Sequence, residues 1–169
     1  VWGQGVILGN AEEEFKIFLE KSGIPAAWTI LGLSAIPTDH PSNRGMVGMH
    51  GNYAPNLLTN ECDLLIAIGM RFDDRVTADL SKYAKQAKII HLELDPAEVD
   101  KNVKVDVALL SDCKITLKEL NNRISAKTYP DWIARFEALD KIENDKVIHS
   151  DLFPTKEGLT MGESIEMIN

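Results

Sequence analysis

Cysteine is nearly absent from this sequence: Cys62 and Cys113 stand far apart, with no CxxC pair. That excludes a disulfide scaffold and a cysteine zinc site, and it fits a reducing compartment such as the cytoplasm. His40, His50, His91 and His149 show no ligand spacing, so no metal site is expected. Positive charge is also short, with 18 Lys and Arg against 26 Asp and Glu and a net charge of −8. A nucleic-acid binder would normally present a basic face. No apolar run approaches the roughly 20 residues of a membrane span. The charged start of a signal peptide is missing, and the first residue is Val1 rather than Met, so the chain reads as a piece of a larger protein. With no GxSxG motif and no nucleophile–base arrangement, catalysis by this chain alone is not expected.

What is present is a globular composition. The 169 residues are 44% apolar and 26% charged, enough for one good core. Residues 10–22 read as a helix: Asn10 and Glu13 suit a capping box, Phe15, Phe18 and Leu19 form the buried stripe, and Gly23 is a natural stop. "IPAAWTI" follows as a short strand. Residues 32–52 lack periodicity and read as one long functional loop, and "YAPNLLTNE" as a short helix. "DLLIAIG", "KIIHLELD" and "VDVALLSD" are apolar on both faces, as buried parallel strands are. "CKITLKELNNRI" is an amphipathic helix, and Pro130 opens another over "DWIARFEALDKIEND". "TMGESIEMI" reads as a helix start near the end. Strands alternating with helices predict an α/β fold with a mainly parallel sheet, residues 1–125 forming its body, 126–146 a C-terminal helix and 147–169 a linker.

In an open parallel sheet, ligands bind beyond the carboxyl ends of the strands. Four distinctive segments fall at such ends: "GQG" at 3–5, "GMRFDDR" at 69–75, "ELDPAE" at 93–98 and "SDC" at 111–113. Gly3 and Gly5 either let amides approach a phosphate or make a tight turn; their spacing is not the dinucleotide fingerprint. Arg71 and Arg75 can meet a phosphate or a ring edge, steadied by Asp73 and Asp74, or the four can be a solvated ion-pair cluster. Their position at a strand end favours the first reading. Glu93 and Asp95 suit ribose hydroxyls, although "DP" also makes an ordinary turn. Asp112 can cap the helix at Cys113. His50, in "GMHG", is a polar ligand contact or a plain loop residue.

Taken in order, these segments resemble the central domain of the acetolactate synthase (acetohydroxyacid synthase) large subunit family, thiamine diphosphate enzymes. "GMVGMHGNYAPNLLTNECDLLIAIGMRFDDRVT" is similar to the family's long central signature, "KIIHLELDPAEVDKN" to its next strand and turn, and "AIPTDHPSNRGM" to the loop before. The likeness runs from Val1 to about Asn122, and "LTMGESIEMIN" looks like the lead-in to the diphosphate-binding domain. Two residues depart: Gln4 stands within the family's usual glycine triplet, and Ala78 where a glycine usually follows "RVT".

The resemblance implies a Rossmann-like three-layer α/β/α domain holding a structural FAD. It places Gly48, Met49, His50, Gly51, Gly69, Arg71, Asp73, Arg75 and Val76 around the flavin. Gly3, Gly5, Thr29, Glu93, Leu94, Asp95 and Asp112 would meet the remainder of the cofactor. Met49, Asp74 and Arg75 match positions beside the substrate and inhibitor channel. The thiamine-binding GDG…N motif and the segment with the catalytic glutamate are not in this sequence, so thiamine diphosphate and Mg²⁺ would be bound by other domains. The implied partners are those domains, further copies in a homodimer or homotetramer, and a regulatory small subunit. Two other readings stay open: an FAD-free decarboxylase or oxidase relative, and a stand-alone nucleotide-binding or structural module.

Overall fold

A computed structural model describes residues 1–153 and 158–168. The strands are β1 (Ala26–Trp28), β2 (Asn43–Met46), β3 (Leu64–Ile68), β4 (Lys88–Glu93) and β5 (Val107–Leu110). The helices are α1 (Gln4–Leu8), α2 (Glu12–Ser22), α3 (Tyr53–Thr59), α4 (Asp74–Thr77), α5 (Cys113–Arg123), α6 (Pro130–Glu143), α7 (His149–Leu152) and α8 (Met161–Glu166). Every strand pairing is parallel. β1 pairs with β2, and β3, β4 and β5 form a second group in that order. Trp2 joins the groups, with parallel bridges to Trp28 and Ile68. Counting Trp2 as the first strand, the spatial order is the 3-2-1-4-5-6 of a doubly wound nucleotide-binding fold. Its switch point lies between Trp2 and β3.

Apolar runs make the strands because both faces are covered. On one face α2 and α5 pack Phe15, Phe18, Leu19 and Leu117 against Trp2, Ile68 and Leu92. Trp2 and Phe15 meet with ring centroids 5.1 Å apart. On the other, the segment between β3 and β4 packs Met70, Phe72 and Tyr83 against Leu65, Ala67 and Ile89. α6 adds Phe136 to Ala54 and Leu58 of α3. The expected three-layer α/β arrangement is present, with β3 at the centre of the sheet and β4 interior beside it. Gly23 closes α2 in the left-handed conformation, and Thr160 and Glu163 form a capping box at α8.

Four local expectations are corrected. Asn10 does not start α2; it stops α1. Its φ is 48°, and Asn10 N–H donates to Ile7 O and Ala11 N–H to Val6 O, the two bonds of a Schellman motif. The long loop 32–52 contains β2, whose sequence Asn-Arg-Gly-Met has no apolar alternation to reveal it. β5 is an edge strand, with Val107 and Leu110 about half exposed, rather than a buried one. The C-terminal helix expected to end near 146 continues through a π-helical turn, Asn144–Ile148, into α7. Residues 154–157 and 169 of the expected linker lie outside the described residues.

Candidate functional site

The strand pairings are all parallel, so the carboxyl ends lie along one edge, and the candidate cofactor residues follow those ends in sequence. The centre of that edge is the switch point. Gly69 N–H donates to Leu92 O at 2.9 Å, and Gly69 O accepts from Gly5 N–H at 2.8 Å. Gly3 N–H donates to Ile68 O at 3.0 Å. These amides therefore tie the backbone together, and the glycines' first use is close approach. A Cβ on Gly5 would stand 2.6 Å from Gly69 Cα, and Gly69 itself has φ 55°. Thr29 is buried beside them, its N–H on Trp2 O at 2.9 Å.

A second group gathers further out. Met49 N–H donates to Arg75 O at 2.8 Å, which lays the Gly48–Gly51 loop along α4. Met49 and His50 are exposed on it. Asp73 is the N-cap of α4, accepting from Val76 N–H at 3.2 Å, and it pairs with Arg71 at 3.6 Å. An exposed pair of this kind is worth little by itself. Arg75 and Asp74 are exposed and form no ion pair among the described residues.

The carboxylates divide their oxygens between fold and edge. Asp112 Oδ1 caps α5 by accepting from Lys114 and Ile115 N–H. Asp95 Oδ1 accepts from Ala97 N–H at 2.8 Å in the Asp-Pro turn. Glu93 Oε1 accepts from Leu94 and Asp95 N–H. In each, the second oxygen makes no hydrogen bond among the described residues, though that of Glu93 lies 3.7 Å from the buried His91 Nε2. The capping and turn readings thus hold for Asp112 and Asp95, and they leave acceptors free.

Sequence reasoning missed two features. Asn56, inside α3, clamps the backbone of Gly48 with bonds of 2.8 and 2.9 Å; an asparagine in mid-helix was the available signal. Ile30, Leu31, Leu33, Met49 and Leu94 are exposed apolar residues just past the carboxyl ends of β1, β2 and β4. "TILGL" continues apolar past the end of β1, which was their trace. Cys113 is no nucleophile: burial, then the charges of Asp112 and Glu93, push its thiol up to about 11. No cluster of metal-ligand residues occurs among the described residues. None of their helices is long and apolar enough to cross a membrane. A cavity of about 480 Å³ lies at the opposite edge, between α2, α3 and α6. It sits at the amino ends of the strands and is mostly apolar, so it lacks the placement and polar groups of a nucleotide site.

Residues 1–120 match the family model described as the thiamine pyrophosphate enzyme, central domain. The chain is similar to a probable acetolactate synthase large subunit of Methanocaldococcus jannaschii, 41% identical over 170 residues, covering 99% of this chain and 29% of the relative. A probable acetolactate synthase large subunit of Methanococcus aeolicus is 48% identical over 118 residues, 70% of this chain and 20% of the relative. An acetolactate synthase large subunit of Lactococcus lactis is 42% identical over 132 residues, 78% of this chain and 23% of the relative. The chain spans less than a third of the length of these relatives.

Proposed function

The chain belongs to the family of thiamine pyrophosphate enzyme central domains, and from that premise we propose that it is the FAD-holding middle domain of an acetolactate synthase large subunit. The observation that carries this is the carboxyl edge, where the candidate segments end side by side along a doubly wound sheet whose switch point lies between Trp2 and β3. The residues there fit a dinucleotide with a large ring. Glu93 and Asp112 each keep an oxygen for ribose hydroxyls. Ile30, Leu31, Met49 and Leu94 offer apolar surface to a ring, and the Arg71 and Arg75 guanidinium groups can bond or stack on its rim.

In this reading FAD supplies structure and takes no part in the main reaction. The whole enzyme condenses two 2-oxoacids, pyruvate with pyruvate or with 2-oxobutyrate, losing carbon dioxide, in branched-chain amino acid biosynthesis. Thiamine diphosphate and Mg²⁺ belong to its other domains, and this chain alone turns over no pyruvate. The full enzyme is cytoplasmic, a homodimer or homotetramer, with a regulatory small subunit. Met49, Asp74 and Arg75 then border the substrate channel.

The test is the flavin content of the full-length parent, followed by Arg75→Lys within it. Losing a charge-assisted hydrogen bond costs about 1.5–3 kcal/mol, a tenfold to hundredfold loss in FAD affinity or kcat/KM. A flavin-free parent protein, or unchanged FAD affinity and kinetics in Arg75→Lys, refutes the assignment of this arginine and of the site around it.

A further inference from the structure

The segment Met70–Asp73 lies between β3 and α4 without secondary structure of its own. Two side chains outside the ligand reading grip its backbone from below. His91, on β4 and fully buried, sets Nε2 2.8 Å from the Met70 carbonyl. Asn102 donates Nδ2–H to the Phe72 carbonyl at 2.7 Å. Arg71 is the residue between the two held carbonyls. The Phe72 ring packs on the His91 imidazole with centroids 5.0 Å apart, and it meets Tyr83 edge-on at 6.1 Å.

The chemistry of His91 says why an imidazole stands there. A carbonyl only accepts, so Nε2 carries a proton toward Met70 O, and the Glu93 Oε2 carboxylate oxygen lies 3.7 Å from the same nitrogen. Nδ1 is buried with no partner. An unpaired buried nitrogen is unfavourable, and an apolar side chain of similar size would avoid it. Packing alone therefore does not account for the residue; its polar contacts do, the shorter to Met70 O and the longer to Glu93 Oε2.

We propose that His91 and Asn102 are positioning residues, which fix the Met70 and Phe72 carbonyls and so hold Arg71 and the capped start of α4 on the carboxyl edge. The functional meaning rests on the reading that this segment meets FAD. The test measures backbone order parameters of Arg71, Phe72 and Asp73 by NMR in the full chain, with thermal unfolding beside them. Asn102→Asp keeps the side chain's shape and removes its donor. His91→Leu removes the ring donor, and His91→Gln restores an N–H.

In Asn102→Asp the order parameters of the three residues fall from about 0.85 to below about 0.6, while those of β4 and α5 stay unchanged. His91→Leu does the same if it folds, and His91→Gln returns them toward the starting value. Unchanged order at Arg71–Asp73 in Asn102→Asp, or a loss spread evenly through the chain, overturns the proposal. FAD titration of the full-length parent carrying Asn102→Asp separates the two readings. A loosened segment with affinity at least tenfold weaker supports both. A loosened segment with unchanged affinity upholds the positioning role and removes the flavin contact.

Discussion

Gly5→Ala sets two effects of opposite sign against each other. Gly5 lies inside α1, where alanine is favoured over glycine by about 1 kcal/mol. Against that, the new Cβ would stand 2.6 Å from Gly69 Cα and 2.9 Å from Gly69 O. Carbon atoms prefer about 3.5–4.0 Å, so α1 must withdraw from the strand end by about 1 Å. Neither neighbour is a flexible side chain. Gly69 is fixed by its bond to Leu92 O, and the bond from Gly5 N–H at 2.8 Å stretches with the withdrawal. Overpacking of this kind costs about 1–3 kcal/mol, and weakening one hydrogen bond adds about 0.5–1.5 kcal/mol. The clash wins, and the variant is less stable by about 1–3 kcal/mol once helix propensity is subtracted. For a chain of this length that lowers Tm by roughly 2–4 °C per kcal/mol. The assay is urea unfolding followed by circular dichroism, with Gln4→Ala as the exposed neighbouring control, expected within about 0.5 kcal/mol of the parent. A Gly5→Ala chain as stable as the parent, or more so, would show that α1 and the end of β3 do not approach as described.

Other outcomes follow from the same geometry. Ala78 holds φ 48° and ψ −116°, a region suited to glycine; relief of strain of about 1–3 kcal/mol outweighs glycine's chain-entropy cost of about 0.4–1 kcal/mol. Ala78→Gly therefore raises the urea midpoint, and a lowered one would refute the strain. Asp112→Ala loses about 1 kcal/mol through the α5 cap, whereas Asp112→Asn keeps it; equal losses in both would deny the cap. Burial raises the Cys113 thiol from 9.0 to about 11, and the Tyr83 hydroxyl is raised as well. The unfolded chain releases these protons first, so their contribution is whole below pH 9 and falls as pH rises toward 11. Urea midpoints at pH 8, 10 and 11 should drop in that order, less steeply in Cys113→Ala.

How far the sequence reached can be judged element by element. Leu64–Ile68 and Lys88–Glu93 were legible because strands covered on both faces carry apolar residues without alternation, here Leu65–Ile68 and Ile89, Ile90 and Leu92, and no turn chemistry interrupts them. β2 was not: its four residues are half-buried, and its place is set by pairing to β1 rather than by side-chain pattern. Asn10 misled because the same residue type starts helices and stops them; only its neighbours' hydrogen bonds tell which. At the site, the strand-end rule pointed to the segments, and the FAD proposed for them comes from the family resemblance alone. Periodicity has no register for the residues that hold loops from behind. Asn56 bonds Gly48 across eight positions, and His91 bonds Met70 across 21, so no local motif contains either pair.

The bridging role of Trp2 bears on how the chain comes apart. Residues 1–3 carry the strand bonds joining the β1–β2 pair to the β3–β4–β5 group: Trp2 N–H to Ala27 O, Trp2 O to Thr29 N–H, Gly3 N–H to Ile68 O and Ile68 N–H to Val1 O. The same indole lies under Phe15 and donates to Gly32 O at 2.8 Å. The core of Phe15, Leu19, Ile68, Leu92 and Leu117 also crosses this seam, so residues 1–3 anchor the joint together with that packing. Release of residues 1–3 would loosen that joint while β3, β4 and β5 keep their own ladder, so the Trp2 indole would report the opening before the three-strand group lost protection from exchange.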